Sequence, residues 1–160
     1  VRSSAASDVY KRQVQQVPEP IPPGKARIWP MTVSLPQPPF TLEATGRFSA
    51  ISPPSAKWGV TLDVASLQVS NDGQFFAPDM PNPIWFYGLY GPGVFNQISL
   101  AVGQNWHAQM RINGQLAWEG TLPASLSANP VWTLFAEGGT QYSGAFTWQR
   151  VAIYIPDAAG

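Results

Sequence analysis

"FTLEATGRFSAI", residues 40–51, decides the fold: Phe40, Leu42, Ala44, Gly46 and Phe48 alternate with Thr41, Glu43, Thr45, Arg47 and Ser49. A period of two sends alternate side chains to opposite faces of a pleated strand, so the apolar set marks a half-buried strand. The pattern recurs downstream. "KWGVTLDV" (residues 57–64) repeats it more weakly, and "NQISLAVG" (96–103) alternates Ile98, Leu100 and Val102. "LQVSNDGQFFA" (67–77) reads as two short strands around Asn71-Asp72-Gly73, and "NWHAQMRINGQLAWEG" (105–120) as a hairpin around Asn113-Gly114, a dipeptide that suits a two-residue turn. "VWTLFAEG" and "AFTWQRVAIYIP" supply two closing strands. Upstream, "ARIWPMTVSL" (26–35) is expected to be an edge strand, because Pro30 has no N–H to give a central ladder. About nine to eleven short strands at regular spacing, with no helical period, predict an all-β sandwich or barrel.

Composition agrees with that class. The 160 residues include 17 Pro, 14 Gly and 7 Trp, whereas charged residues make up only 11%, which suits a turn-rich β domain and not long helices. Cys is absent, so neither disulfides nor thiolate metal sites are available. No apolar run approaches the ~20 residues of a membrane helix, so no membrane insertion is expected of this segment.

The two ends read differently from the middle. Residues 3–13, "SSAASDVYKRQ", look like the in-frame translation of a transposase adapter used in sequencing libraries; residues 1–13 are therefore expected to be an artefact without structure, packing on nothing. "VQQVPEPIPPG" has four prolines in eleven residues, and residues 14–25 are expected to form an extended linker ahead of a domain at 26–157. Setting aside residues 1–13 leaves six basic and eight acidic side chains, a balance that offers nothing to nucleic acid. The chain is expected to be a piece of a longer, metagenomic bacterial protein with other domains, placed outside the cell or in its envelope.

The order of pieces resembles the concanavalin A-like jelly rolls, in particular their laminin-G-like domains. The resemblance is carried by "FTLEATGRF", "WGVTLD", "GQFFA", "NQISLAVGQNWHAQMRINGQLAWEG" and "AFTWQRVAIYIP", and covers residues 40–156. It implies a two-sheet antiparallel β-sandwich. Its members include lectins, glycoside hydrolases and non-catalytic attachment modules, so it implies fold more than function. Glucanases of this fold carry a Glu-x-Asp-x-x-Glu strand, which does not occur here; Glu43, Asp63, Glu119 and Glu137 are isolated in sequence, and retaining hydrolysis needs two carboxyls about 5 Å apart. The calcium and manganese ligands of legume lectins have no counterpart, and "SNDGQ" offers one carboxylate, so it is expected to be a turn and not a calcium loop. "GLYGPGVF" neither follows a strand nor opens a helix as a phosphate loop would. No metal, cofactor or catalytic set is expected. The expected function is a carbohydrate or cell-surface binding module; the alternatives are a glycoside hydrolase of the same fold and a spacer or adhesion domain without small ligand.

Candidate ligand residues come from the hairpin and from one aromatic cluster. His107 is the only histidine and is expected to be an ordinary strand residue. With a two-residue turn and regular pairing, His107, Gln109, Arg111, Leu116 and Trp118 share a face, an indole with amide and guanidinium donors beside it that would serve as a sugar platform. With an extra loop residue or a bulge, Leu116 and Trp118 swing round to join Met110 and Ile112, and the aliphatic pattern favours this second register. Trp85, Phe86, Tyr87 and Tyr90 form either a buried strand or an exposed patch. Burial is the expectation; as a patch, Trp85, Tyr87 and Tyr90 join the ligand candidates. Trp58, Trp132 and Trp148 alternate within strands and are expected in the core.

Overall fold

The structure is a computed structural model that describes residues 6–13, 20–31, 33–63, 65–78, 80, 82–123 and 130–156, with the side chains of residues 6–13 and Pro156 excepted. In chain order the strands are β1 (Ala6–Gln13), β2 (Pro20–Ile21), β3 (Ala26–Pro30), β4 (Phe40–Phe48), β5 (Lys57–Leu62), β6 (Ala65–Ser70) and β7 (Gln74–Phe76). They continue as β8 (Ile84–Trp85), β9 (Asn96–Val102), β10 (His107–Ile112), β11 (Gln115–Thr121), β12 (Trp132–Glu137) and β13 (Gly144–Pro156). A 3-10 turn at Gln104–Trp106 leads into β10.

Two antiparallel sheets form a jelly-roll β-sandwich. One has the order β1-β13-β4-β9-β10-β11, with β2 also on β13; the other runs β3-β12-β5-β6-β7-β8. The alternation that marked residues 40–48 does its work here: Phe40, Leu42, Ala44 and Phe48 enter the core, matched by Ile98, Leu100 and Val102 of β9 and by Trp58, Val60 and Leu62 of β5. Trp58, Trp132 and Trp148 are buried as expected. Phe146 joins the sheets by packing on Trp148 (centroids 4.7 Å), Phe48 (4.8 Å) and Trp58 (5.2 Å), mostly edge-on, as ring quadrupoles favour.

Three expectations are corrected. First, Ala6–Gln13 pairs along β13 from Ala6↔Pro156 to Gln13↔Arg150, whereas no structure was expected of residues 1–13. A long edge strand has unpaired backbone groups that an extended segment of almost any sequence can satisfy; residues 1–5 and the packing of Val9 and Tyr10 lie outside what is described. Second, the linker does not reach residue 25. Pro20–Ile21 bridges the same edge of β13, where a proline is tolerated, and Ile21 is buried; residues 14–19 lie outside the described part. Third, the aromatic segment is exposed. Beyond the two residues of β8 it is loop, with Tyr87 91%, Trp85 56% and Tyr90 54% accessible, while Phe86 and Leu89 pack on the core. Edge strand β3 ends at Pro30, as its proline requires.

Candidate functional site

The hairpin of β10 and β11 combines both registers weighed above. Asn113 (φ 53°) and Gly114 (φ 82°) make a two-residue turn, so Ile112 faces Gln115 and Arg111 faces Leu116. The pairing then slips by one: Met110 faces Trp118 and Gln109 faces Glu119, leaving Ala117 as the bulge residue. Without the slip Trp118 would point to solvent and Glu119 toward the core. The bulge exchanges them, hiding an indole and hydrating a carboxylate, both favourable changes. Trp118 therefore leaves the sugar platform and packs against the core, its ring lying over Gly120, where any Cβ would stand 2.4 Å from the indole. Leu116 stays outside, 49% exposed. The expectation that Leu116 and Trp118 move together is thus half corrected.

What remains on the outer face is polar and interlocked. Arg111 Nη1 donates to Gln109 Oε1 (2.9 Å), Gln109 Nε2 donates to Glu119 Oε2 (3.2 Å), and His107 Nε2 donates to the same oxygen (2.7 Å). His107, first, and then Gln109 hold the Glu119 carboxyl below the usual carboxylate range by hydrogen bonding to its ionised form. The strand register extends this face inward. Thr41, Ala101, Gln109 and Glu119 form one row, and Glu43, Ser99, Arg111 and Leu116 the next. At the His107 end, a cleft of about 320 Å³ is lined by Pro39, Phe40, Thr41, Ala101, His107 and Gln109 among others. That volume lies at the lower end of small-ligand sites, and an apolar floor with a few placed polar groups is their usual make-up. Asn105 (φ 59°) and Trp106 (φ 61°), both left-handed, turn the chain sharply into β10 beside this cleft, and the Trp106 ring meets Phe40 edge-on.

The other end of β10 meets the exposed aromatics. Asn113 Nδ2 donates to Gly88 O (2.9 Å) and Asn96 Oδ1 (2.8 Å), while Asn113 Oδ1 accepts from Gln97 N (3.0 Å). Buried Asn96 in turn accepts from Tyr90 N (2.7 Å) and donates to the carbonyls of Tyr90 and Val94. Two asparagines thus staple the loop that carries Tyr87 and Tyr90 to the hairpin turn. His107, Gln109 and Arg111 come together on one face; Trp85, Tyr87 and Tyr90 stand on the neighbouring rim.

Glu119 is the member that sequence reasoning left out of the site. It was read as an isolated acid, yet the bulged register puts it opposite Gln109. The other acids serve locally: Glu43 lies 3.9 Å from Arg150, Glu137 lies 3.9 Å from Lys57, and Asp63 Oδ1 accepts from Val131 N (2.7 Å). Asp72 Oδ1 accepts from Gln74 N and from the Ser70 hydroxyl, closing the turn between β6 and β7. Among the described residues no three His, Asp or Glu side chains cluster as a metal site, and no helix is long and apolar enough to cross a membrane.

These sheets define the class: an all-β, two-sheet jelly roll of the kind found in lectins. Neither a protein-family model nor a curated protein sequence matches the chain. Solved structures share its fold. The carbohydrate recognition domain of Emp47p aligns over 96% of this chain and 90% of its own, with a TM-score of 0.61 and 11% identity. Galectin LEC-6 of Caenorhabditis elegans aligns over 89% and 94%, with a TM-score of 0.56 and 11% identity. Trypanosoma rangeli sialidase aligns over 89% of this chain with a TM-score of 0.54 and 16% identity, but this chain spans only 26% of that protein's length. At these identities the likeness is one of fold.

Proposed function

We propose that the protein is a non-catalytic carbohydrate-binding module, of the laminin-G-like kind within its superfamily, acting outside the cell or in its envelope as part of a longer bacterial protein. The observation that carries this reading is the chain Arg111–Gln109–Glu119–His107, locked by its own hydrogen bonds beside the cleft. Side chains already held in place bind hydroxyls without a large ordering cost, and they supply both donors and an ionised acceptor. The lectin-like neighbours support a sugar as the ligand. From His107 to Ile112 the strand rises about 17 Å, enough for a short oligosaccharide to run from the cleft toward Tyr87 and Tyr90.

Hydrolysis is less well supported by this face. Glu43, the other carboxylate on it among the described residues, stands on β4, three strands from β11, or roughly 14 Å by strand spacing. Glycosidase pairs are about 5–9.5 Å apart. A glycan array probed with the full chain and with Gln109→Ala is the test. A bound glycan whose affinity falls about tenfold in the variant supports the proposal; binding to no glycan overturns it.

A further inference from the structure

The outer edge of β13 is covered along residues 150–156 by β1, which pairs with no other strand among the described residues. Residues directly opposite each other in an antiparallel pair share a face of the sheet. Val151 and Ile153 belong to the core, and Ile155 packs against it. On one flank of β13 the sequence answers that face: β4 sets Ala44 opposite Val151 and Leu42 opposite Ile153. On the other flank it does not. β1 sets Arg12 opposite Val151, Tyr10 opposite Ile153 and Ser7 opposite Ile155. Val9, the only aliphatic residue of β1 larger than alanine, falls at the irregularity between Asp8 and Tyr10 and takes no register position. Farther along the same edge, β2 places Ile21 opposite Gly144, and Ile21 is buried.

We propose that the edge of β13 is an acceptor for an extended peptide of a separate protein, antiparallel to β13 and apolar at the positions opposite Val151, Ile153 and Ile155. In strand addition the backbone N–H and C=O groups of the edge supply affinity, and alternate side chains supply specificity. The register of β1 shows that residues 150–156 take an extended segment. Its sequence meets the backbone requirement and misses the side-chain one, so a strand that meets both displaces it. The proposal is independent of the glycan reading.

The test opens the edge in the full chain with Lys11→Pro and Arg12→Pro, since ladder N–H groups alternate along a strand and one of two adjacent prolines must remove one. Two synthetic peptides of residues 5–13 are then titrated, one carrying Ser7→Val and Arg12→Val, the other Asp8→Val and Lys11→Val, which stand opposite Tyr154 and Ala152. In proton–nitrogen correlation NMR of the labelled protein, the first peptide is expected to shift the amides of residues 150–156 in a saturable way, at least about tenfold more tightly than the second. Amides that do not respond, or equal affinity for the two peptides, overturn the proposal. A second measurement needs no peptide and no proline. Ser7→Val with Arg12→Val in the otherwise unaltered chain should raise the unfolding midpoint by a few degrees, and Asp8→Val with Lys11→Val should not; equal midpoints overturn the proposal. So does a concentration-dependent dimer of the proline variant in light scattering without peptide, which would assign the edge to a second copy.

Discussion

Glu119 owes its place to two neighbours, and its titration reports on both. Its carboxyl is held ionised mainly by His107 and next by Gln109, so its lowered pKa has a defined sign. The hydrogen bonds to Glu119 are present above the ordinary carboxylate range and are lost as pH falls through the lowered pKa. Carboxyl-detected NMR is expected to show Glu119 titrating below a model glutamate, with His107→Ala moving it upward and Gln109→Ala moving it less. An unchanged midpoint in His107→Ala would remove His107 from the network. Trp118 and Leu116 make the opposite pair. Trp118→Ala should cost about 2 kcal/mol, less than the roughly 3–5 kcal/mol of a fully buried tryptophan, because its ring only partly covers the core. Leu116→Ala, on the outer face, should stay within about 0.5 kcal/mol. Urea denaturation of both variants distinguishes the bulged register from one in which the two residues share a face.

At the scale of elements, the hairpin is where pattern reading reached its limit. The Asn113-Gly114 turn was legible because few residue pairs accept two left-handed conformations in succession. The bulge was legible only as one of two options, since the sequence from Gln115 to Gly120 satisfies either register locally and burial of one indole decides between them. The exposed loop after β8 was misread for a related reason. Aromatics bounded by prolines and glycines resemble a buried strand, and nothing local reveals that Asn96 and Asn113, distant in sequence, will staple the segment to a turn. The staple makes a prediction. Asn113→Ala removes a side chain that tolerates φ near 53° and breaks its hydrogen bonds to Gly88, Asn96 and Gln97. It should destabilise the domain by about 1–3 kcal/mol and speed amide exchange in residues 86–95 ahead of the rest of the domain. Uniform loss of protection would indicate that the loop is held by something other than the asparagines.

For the whole molecule, the alternation in residues 40–48 and its echoes were sufficient to specify two sheets and most of the core, because a period of two leaves an apolar face that only a second layer can cover. The strand edges were less legible: β1 and β2 attach to β13 through backbone pairing, which side-chain patterns do not record. The core and the rim also divide the tryptophans by energy. Trp58→Ala, inside the aromatic cluster that joins the sheets, should cost about 3–5 kcal/mol, while Trp85→Ala on the exposed rim should leave the unfolding midpoint nearly unchanged. The central claim is that the face built by β4, β9, β10 and β11 receives a carbohydrate. Its most direct test is backbone NMR mapping of the full chain with the strongest glycan from an array. The account predicts perturbations centred on Thr41, Ala101, His107, Gln109, Arg111 and Glu119, weakening toward Tyr87 and Tyr90; perturbations confined to the rim loop, with the polar face unmoved, would contradict it.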